Sequence, residues 1–107
     1  MYELARRGAS ADTVVDVAGV RIGEGFIVIA GPCAIEDDIQ IETVARAVSA
    51  LGGAMLRGGA YKPRTSPYSF QGLGDAGVEL IARASRHHRL PAVVEALDSE
   101  QLPILAT

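Results

Sequence analysis

The chain has no tryptophan, one cysteine, and only three tyrosines and two phenylalanines among its 107 residues. A lone cysteine forbids an internal disulfide, which fits a reducing compartment and leaves Cys33 as either a small buried hydrophobe or a chemically employed thiol. Long apolar runs are missing too. The longest, residues 26–30, is far short of the roughly 20 residues a membrane-spanning helix needs. Arg6 and Arg7 are followed by no apolar stretch, so nothing reads as a secretory leader, and a soluble, cytoplasmic protein with no membrane partner is expected. A net charge of −3 gives no electrostatic reason to expect nucleic acid. Internal repeats and low-complexity tracts are absent. One absence is local: from Arg57 to Gly74 there is not a single carboxylate.

What is present supports one globular unit. A hydrophobic content of 49% against 21% charged residues speaks against disorder, and the length allows one small core but not two. Residues 1–12 read as a polar tail. Residues 14–17 and 20–22 are β-branched runs on either side of Ala18-Gly19, the pattern of a hairpin. Residues 26–30, bounded by Gly25 and Gly31-Pro32, have the profile of a strand buried on both faces, as in parallel sheets. Asp37 or Asp38 can cap a helix whose apolar positions Ile41, Val44, Ala45, Val48 and Leu51 recur at steps of three and four before Gly52-Gly53 ends it. A second strand is predicted over 54–57, a second helix over 75–89 with Val78, Ile81, Ala82 and Ser85 inward, and a third strand over 91–95. Ser99 is placed to cap a further helix. This β-α-β-α-β order predicts an α/β fold with right-handed crossovers and a parallel sheet. Such sheets bind ligands beyond the carboxyl ends of their strands, where the chain puts Cys33, Arg57 and Glu95.

The acid-free segment carries Arg57, Lys62 and Arg64, hydroxyls at Thr65, Ser66 and Ser69, and glycines at 58, 59, 72 and 74. Arginine offers a planar fork for two oxygens, lysine a mobile point charge, and glycine lets backbone N–H groups approach a ligand. The ligand class this implies is a small phosphorylated acid. Pro63 and Pro67 stiffen the loop, and Tyr61, Tyr68 and Phe70 read as packing residues that stiffen it further. The alternatives stay open: a solvated basic loop contacting nothing, or an ion pair of Arg57 with Glu95 across neighbouring strand tips. Gly72 and Gly74 lack the spacing of a dinucleotide fingerprint. His87 and His88 read as cations complementing a helix C-terminus.

Gly31-Pro32-Cys33 followed by Glu36, and then Leu56-Arg57-Gly58-Gly59-Ala60-Tyr61-Lys62-Pro63-Arg64-Thr65-Ser66-Pro67-Tyr68-Ser69-Phe70-Gln71-Gly72-Leu73-Gly74, resemble the type I beta class of 3-deoxy-D-arabino-heptulosonate 7-phosphate synthases. The resemblance runs from about Thr13 to about Pro103 and includes the predicted strand at 91–95 and Asp98. It implies a (β/α)8 TIM barrel, of which residues 13–107 would be the N-terminal hairpin and the first three βα units, behind a tail of residues 1–12. The implied enzyme condenses phosphoenolpyruvate with erythrose 4-phosphate and releases phosphate, opening the shikimate pathway to chorismate and the aromatic amino acids. It requires a divalent metal ion, Mn²⁺ or similar, and a homo-oligomer is expected. By position, Arg57 and Lys62 are the catalytic candidates and would bind the phosphate and carboxylate of phosphoenolpyruvate, Lys62 also passing a proton toward the aldehyde oxygen. Arg64, Thr65 and Ser66 would hold the phosphate of erythrose 4-phosphate, with Pro63 fixing the turn between the two sites. Cys33 would be a metal ligand, and Glu95 would orient water or phosphoenolpyruvate.

A complete barrel of this kind takes about 250 residues, so the chain is expected to be an N-terminal fragment without synthase activity of its own. The histidine, glutamate and aspartate that complete the family's metal site are expected beyond Thr107, and His87 and His88, predicted at the rim opposite the strand tips, would not replace them. Two other readings stand beside this one. One is the related synthase that uses arabinose 5-phosphate, disfavoured because its loop reads Lys-Ala-Asn-Arg-Ser where this chain has Lys62-Pro63-Arg64-Thr65-Ser66. The other is a non-catalytic phosphate-binding or assembly module that pairs its open strand edges with a second copy.

Overall fold

The structure is a computed structural model and describes Gly8, residues 11–63 and residues 65–106. Arg64 and most of the predicted tail lie outside the described residues. Strands β1 (Val15–Val17) and β2 (Val20–Ile22) form an antiparallel hairpin in which Val17 faces Val20. Its two central residues, Ala18 and Gly19, both take positive φ, the turn whose twist matches that of paired strands. The Asp16 carboxylate accepts the Gly19 N–H at 2.9 Å and closes it.

The main sheet has three parallel strands in the order β3 (Ile29–Ala30), β4 (Met55–Arg57), β5 (Ala92–Val93). Helix α1 (Asp38–Ala50) links β3 to β4, and α2 (Asp75–His88) follows a long loop and leads to β5. The predicted α/β order and parallel pairing are thus present. Beyond β5 come a 3₁₀ turn (Ser99–Gln101) and α3 (Leu102–Leu105). Among the described residues no helix is long and apolar enough to cross a membrane.

Helix α1 starts where expected, the Asp37 side chain accepting the Gln40 N–H at 2.7 Å, and its stripe Ile41, Ala45 and Val48 is buried. These residues meet Ile35, Leu56 and Ala60 from the sheet side, and Val78, Ile81 and Ala84 from α2, in one core. Burying a side chain the size of Ile41 or Leu56 contributes about 1.5–3 kcal/mol.

Four local expectations shift. The predicted strand at 26–30 shortens to Ile29–Ala30, with one further bond from the Ala54 N–H to the Val28 carbonyl at 2.8 Å, and Phe26 is 92% exposed. Leu51 is 87% exposed because it is the residue that caps α1, past the last inward turn. The buried side of α2 is Gly77, Val78, Ile81 and Ala84, while Ala82 and Ser85 flank it half-buried. Its last turn folds over, Arg89 taking a left-handed conformation and the Ser85 hydroxyl donating to the Leu90 carbonyl at 2.6 Å. The final cap belongs to Asp98 instead of Ser99, the Asp98 carboxylate accepting the Glu100 N–H at 2.8 Å.

Candidate active site at the strand tips

Strand β4 alternates too little to be read as half-exposed: Met55 and Leu56 are both buried, and Arg57 emerges at its carboxyl end. The sheet then extends by one parallel bridge, Ala34 to Gly59, in which the Ile35 N–H donates to the Gly59 carbonyl at 3.0 Å and the Gly59 N–H donates to the Cys33 carbonyl at 3.2 Å. That bridge sets the Cys33 backbone beside the start of the cationic loop. Position 59 tolerates nothing larger than glycine in this arrangement, since a Cβ there would lie 2.4 Å from both Cε and Nζ of Lys62 and 2.8 Å from the Cys33 carbonyl oxygen. The lysine side chain lies back over bare backbone.

Lys62 is consequently 7% exposed, an unusual place for an ammonium group. Its Nζ lies 3.5 Å from Oε2 of Glu95, just beyond the end of β5. This is wider than the roughly 2.7–2.9 Å of a tight charge-assisted bond. Arg57, Lys62 and Glu95, with Gly58, Gly59, Val93 and Val94, line a cavity of about 140 Å³. Wider clefts of about 600 Å³ along α2 and about 430 Å³ between α1 and β3 contain no strand-tip cation. The alternative in which Arg57 pairs with Glu95 is not seen: Glu95 pairs with Lys62, and among the described residues no carboxylate forms an ion pair with Arg57.

The rest of the loop is tied at its neck. The Lys62 N–H donates to the Gln71 carbonyl at 2.8 Å, and the Gly74 N–H to the Ala60 carbonyl at 2.9 Å. Between them Gly72 runs at φ +96 against the Ala60 carbonyl, where a Cβ would sit 2.0 Å away. Inside the tip, Ser66 is occupied by its own turn, its carbonyl accepting the Ser69 N–H at 3.2 Å and its hydroxyl the Tyr68 N–H at 3.3 Å. Pro63 and Thr65 are exposed, and neither they nor Ser66 line the cavity. Arg64 lies outside the described residues.

Cys33 is an exposed free thiol, which removes the reading of it as a buried hydrophobe. Tyr68 is 97% exposed, so it is not the packing residue expected, whereas Tyr61 is tied to α2. The Tyr61 hydroxyl donates to the carboxylate of Asp75 in the first turn of α2. That bond pushes the phenol above its ordinary value, because ionisation would break it and set two negative charges together. Sequence reasoning also passed over Glu42: its Oε2 lies 3.1 Å from Nδ1 of His87 and 2.8 Å from Nε2 of His88. The bond to His88 holds the Glu42 carboxyl below its ordinary value; burial opposes it, and the weaker contribution of His87 adds to the lowering.

A buried ammonium, a guanidinium and a carboxylate at the carboxyl ends of parallel strands are equipped to bind and orient a small anion. Residues 10–107 match the DAHP synthetase I family. The chain belongs to the DAHP synthetase I family. Similar to it is the phospho-2-dehydro-3-deoxyheptonate aldolase of Thermotoga maritima, 50% identical over 96 residues that cover 89% of this chain and 28% of the relative. A crystal structure of phospho-2-dehydro-3-deoxyheptonate aldolase (DAHP synthase) from Thermotoga maritima superposes with a TM-score of 0.78 at 49% identity, over 89% of this chain and 28% of that one. A truncated form of 3-deoxy-D-arabino-heptulosonate 7-phosphate synthase from the same organism gives 0.73 at 42% identity, over 89% and 34%. This DAHP synthetase family member therefore spans well under half the length of those relatives.

Proposed function

We propose that these residues form the phosphoenolpyruvate-binding rim of a 3-deoxy-D-arabino-heptulosonate 7-phosphate synthase. Residues 13–107 are then the hairpin and first three βα units of a (β/α)8 TIM barrel, behind a tail of residues 1–12. The observation that carries this is the convergence of Arg57, Lys62 and Glu95 on the cavity of about 140 Å³ at the tips of β4 and β5. In this reading the chain is part of a soluble, cytoplasmic, homo-oligomeric enzyme joining phosphoenolpyruvate to erythrose 4-phosphate, and family membership supports that reading.

In this reading Arg57 takes two oxygens of phosphoenolpyruvate with its planar fork, and the Lys62 ammonium, already desolvated, neutralises the adjoining anionic group. The anion shares or displaces Glu95, which then faces the reacting carbon and can orient water. Proton transfer from Lys62 Nζ toward the aldehyde oxygen fits a side chain with three donors and one competing partner. Thr65, Ser66, Pro63 and Arg64 belong in this reading to the erythrose 4-phosphate end, and of them Pro63, Thr65 and Ser66 do not line the cavity. A divalent ion such as Mn²⁺ supplies Lewis-acid polarisation of the aldehyde when bound. Exposed Cys33 offers one donor to it, and among the described residues no group of three or more His, Cys, Asp and Glu donors includes that thiol. These residues alone therefore do not make up the metal site.

Calorimetric titration of phosphoenolpyruvate into the chain tests the reading. Saturable binding that Lys62→Met weakens by about 10-fold or more is expected, the loss of one charge-assisted contact being worth about 1.5–3 kcal/mol. No saturable binding, or an unchanged affinity in Lys62→Met, would overturn it. Binding at Lys62 that remains without turnover when these residues are part of a complete barrel would favour the non-catalytic module.

A further inference from the structure

We infer that Glu42, His87 and His88 form a binding site for a divalent transition metal of the zinc, nickel and copper class, bridging α1 to α2 away from the strand-tip cavity. The three donor atoms all lie within 4.8 Å of one another. Glu42 Oε2 stands 3.1 Å from His87 Nδ1 and 2.8 Å from His88 Nε2. A tetrahedral ion with bonds near 2.0–2.2 Å spaces its ligands by about 3.4 Å, so Glu42 must part from each imidazole by a few tenths of an ångström, while the two imidazole nitrogens, within 4.8 Å of each other, must draw together by rotation of the solvent-facing His87.

The donor chemistry selects the class of ion. Two imidazoles suit zinc, nickel and copper, while magnesium and calcium demand oxygen. Two histidines and one carboxylate leave a fourth position for water. The side chains of Glu42 and His88 are 22% and 13% exposed and His87 70%, so two ligands are held by packing and the third faces incoming solvent. The helices carrying them are fixed against each other by Ile41 and Ala45 on one side and Ile81 and Ala84 on the other. An ion pair of Arg83 with Asp38 at 3.1 Å joins the same two helices. None of the three residues lines the cavity of Arg57, Lys62 and Glu95, and Cys33 is not among them.

The competing explanation is a histidine–glutamate ion pair that needs no metal, and the experiment separates the two. The chain, stripped with a chelator, is titrated with Co²⁺ followed by visible absorption and with Zn²⁺ followed by calorimetry. One saturable equivalent is expected, with cobalt d–d bands that persist in Cys33→Ser and an affinity reduced at least ~10-fold in His87→Gln, the lower end of what even outer-sphere partners of a metal command. His87 is a surface side chain, so its replacement keeps the fold. Absence of saturable binding, bands that vanish in Cys33→Ser, or an unchanged affinity in His87→Gln would each overturn the assignment.

Discussion

The Lys62 ammonium and the Glu95 carboxylate face each other at 3.5 Å across the tips of two parallel strands, the lysine buried and the glutamate half exposed. The glutamate therefore competes with any anion that enters. Glu95→Gln should strengthen binding of inorganic phosphate or phosphoenolpyruvate a few-fold while lowering stability by about 1 kcal/mol, the ordinary worth of one such contact. Parallel calorimetry and urea denaturation check both signs. An affinity that falls in Glu95→Gln would show that the carboxylate helps bind the ligand instead of opposing it.

Gly59 is the cradle of that lysine. Alanine there would place a methyl 2.4 Å from Lys62 Cε and Nζ and 2.8 Å from the Cys33 carbonyl. The lysine can swing away, but the carbonyl is backbone and must shift, so a destabilisation of about 1–3 kcal/mol is expected. Phosphoenolpyruvate binding should weaken about 10-fold or more because the ammonium leaves the cavity. A Gly59→Ala chain with unaltered affinity would show that the position of Lys62 does not matter to the ligand.

Tyr61 gives the loop a readable pH dependence. Its phenol is raised above the ordinary value of 10.0 by the bond to Asp75. A group raised in the folded state stabilises fully below its unfolded value and loses that contribution as pH climbs through the folded one. The Tyr61–Asp75 link should thus be intact below pH 10 and fail above it. Alkaline absorbance titration, with Tyr61→Phe to isolate the signal, should show tyrosinate forming later in the parent chain than in Asp75→Asn. Equal midpoints would mean the bond is not formed in solution.

The elements that were legible in the sequence were those written in local pattern. The Ala18-Gly19 hairpin, the Asp37 cap and the stripe Ile41, Ala45, Val48 each depend on residues within a turn or two, and all three are present. So is the concentration of Arg57 and Lys62 at a strand tip, since the strand ends where the glycines begin. What escaped were contacts made by pairing across the sheet or between helices. Glu42 meets His87 and His88 from 45 and 46 residues away, and no spacing rule links them. Lys62 took Glu95 from Arg57 because Gly59 folds the lysine backward, which needs the Ala34–Gly59 bridge to be known. Leu51 fitted the helical period but fell one residue beyond the helix.

That last misreading can be tested directly. Ile41 and Leu51 are equally apolar and both lie on the period of α1, yet Ile41 is 0% exposed and Leu51 87%. Ile41→Ala removes buried carbon and leaves a cavity between α1, α2 and the sheet, which costs about 2–5 kcal/mol. That is a large share of the roughly 5–15 kcal/mol that holds a domain folded. Leu51→Ala removes atoms already in water and should stay within about 0.5 kcal/mol. Denaturant midpoints of the two variants measure the contrast. If Leu51→Ala destabilises as much as Ile41→Ala, a surface this structure leaves open to solvent at the end of α1 is covered in the protein.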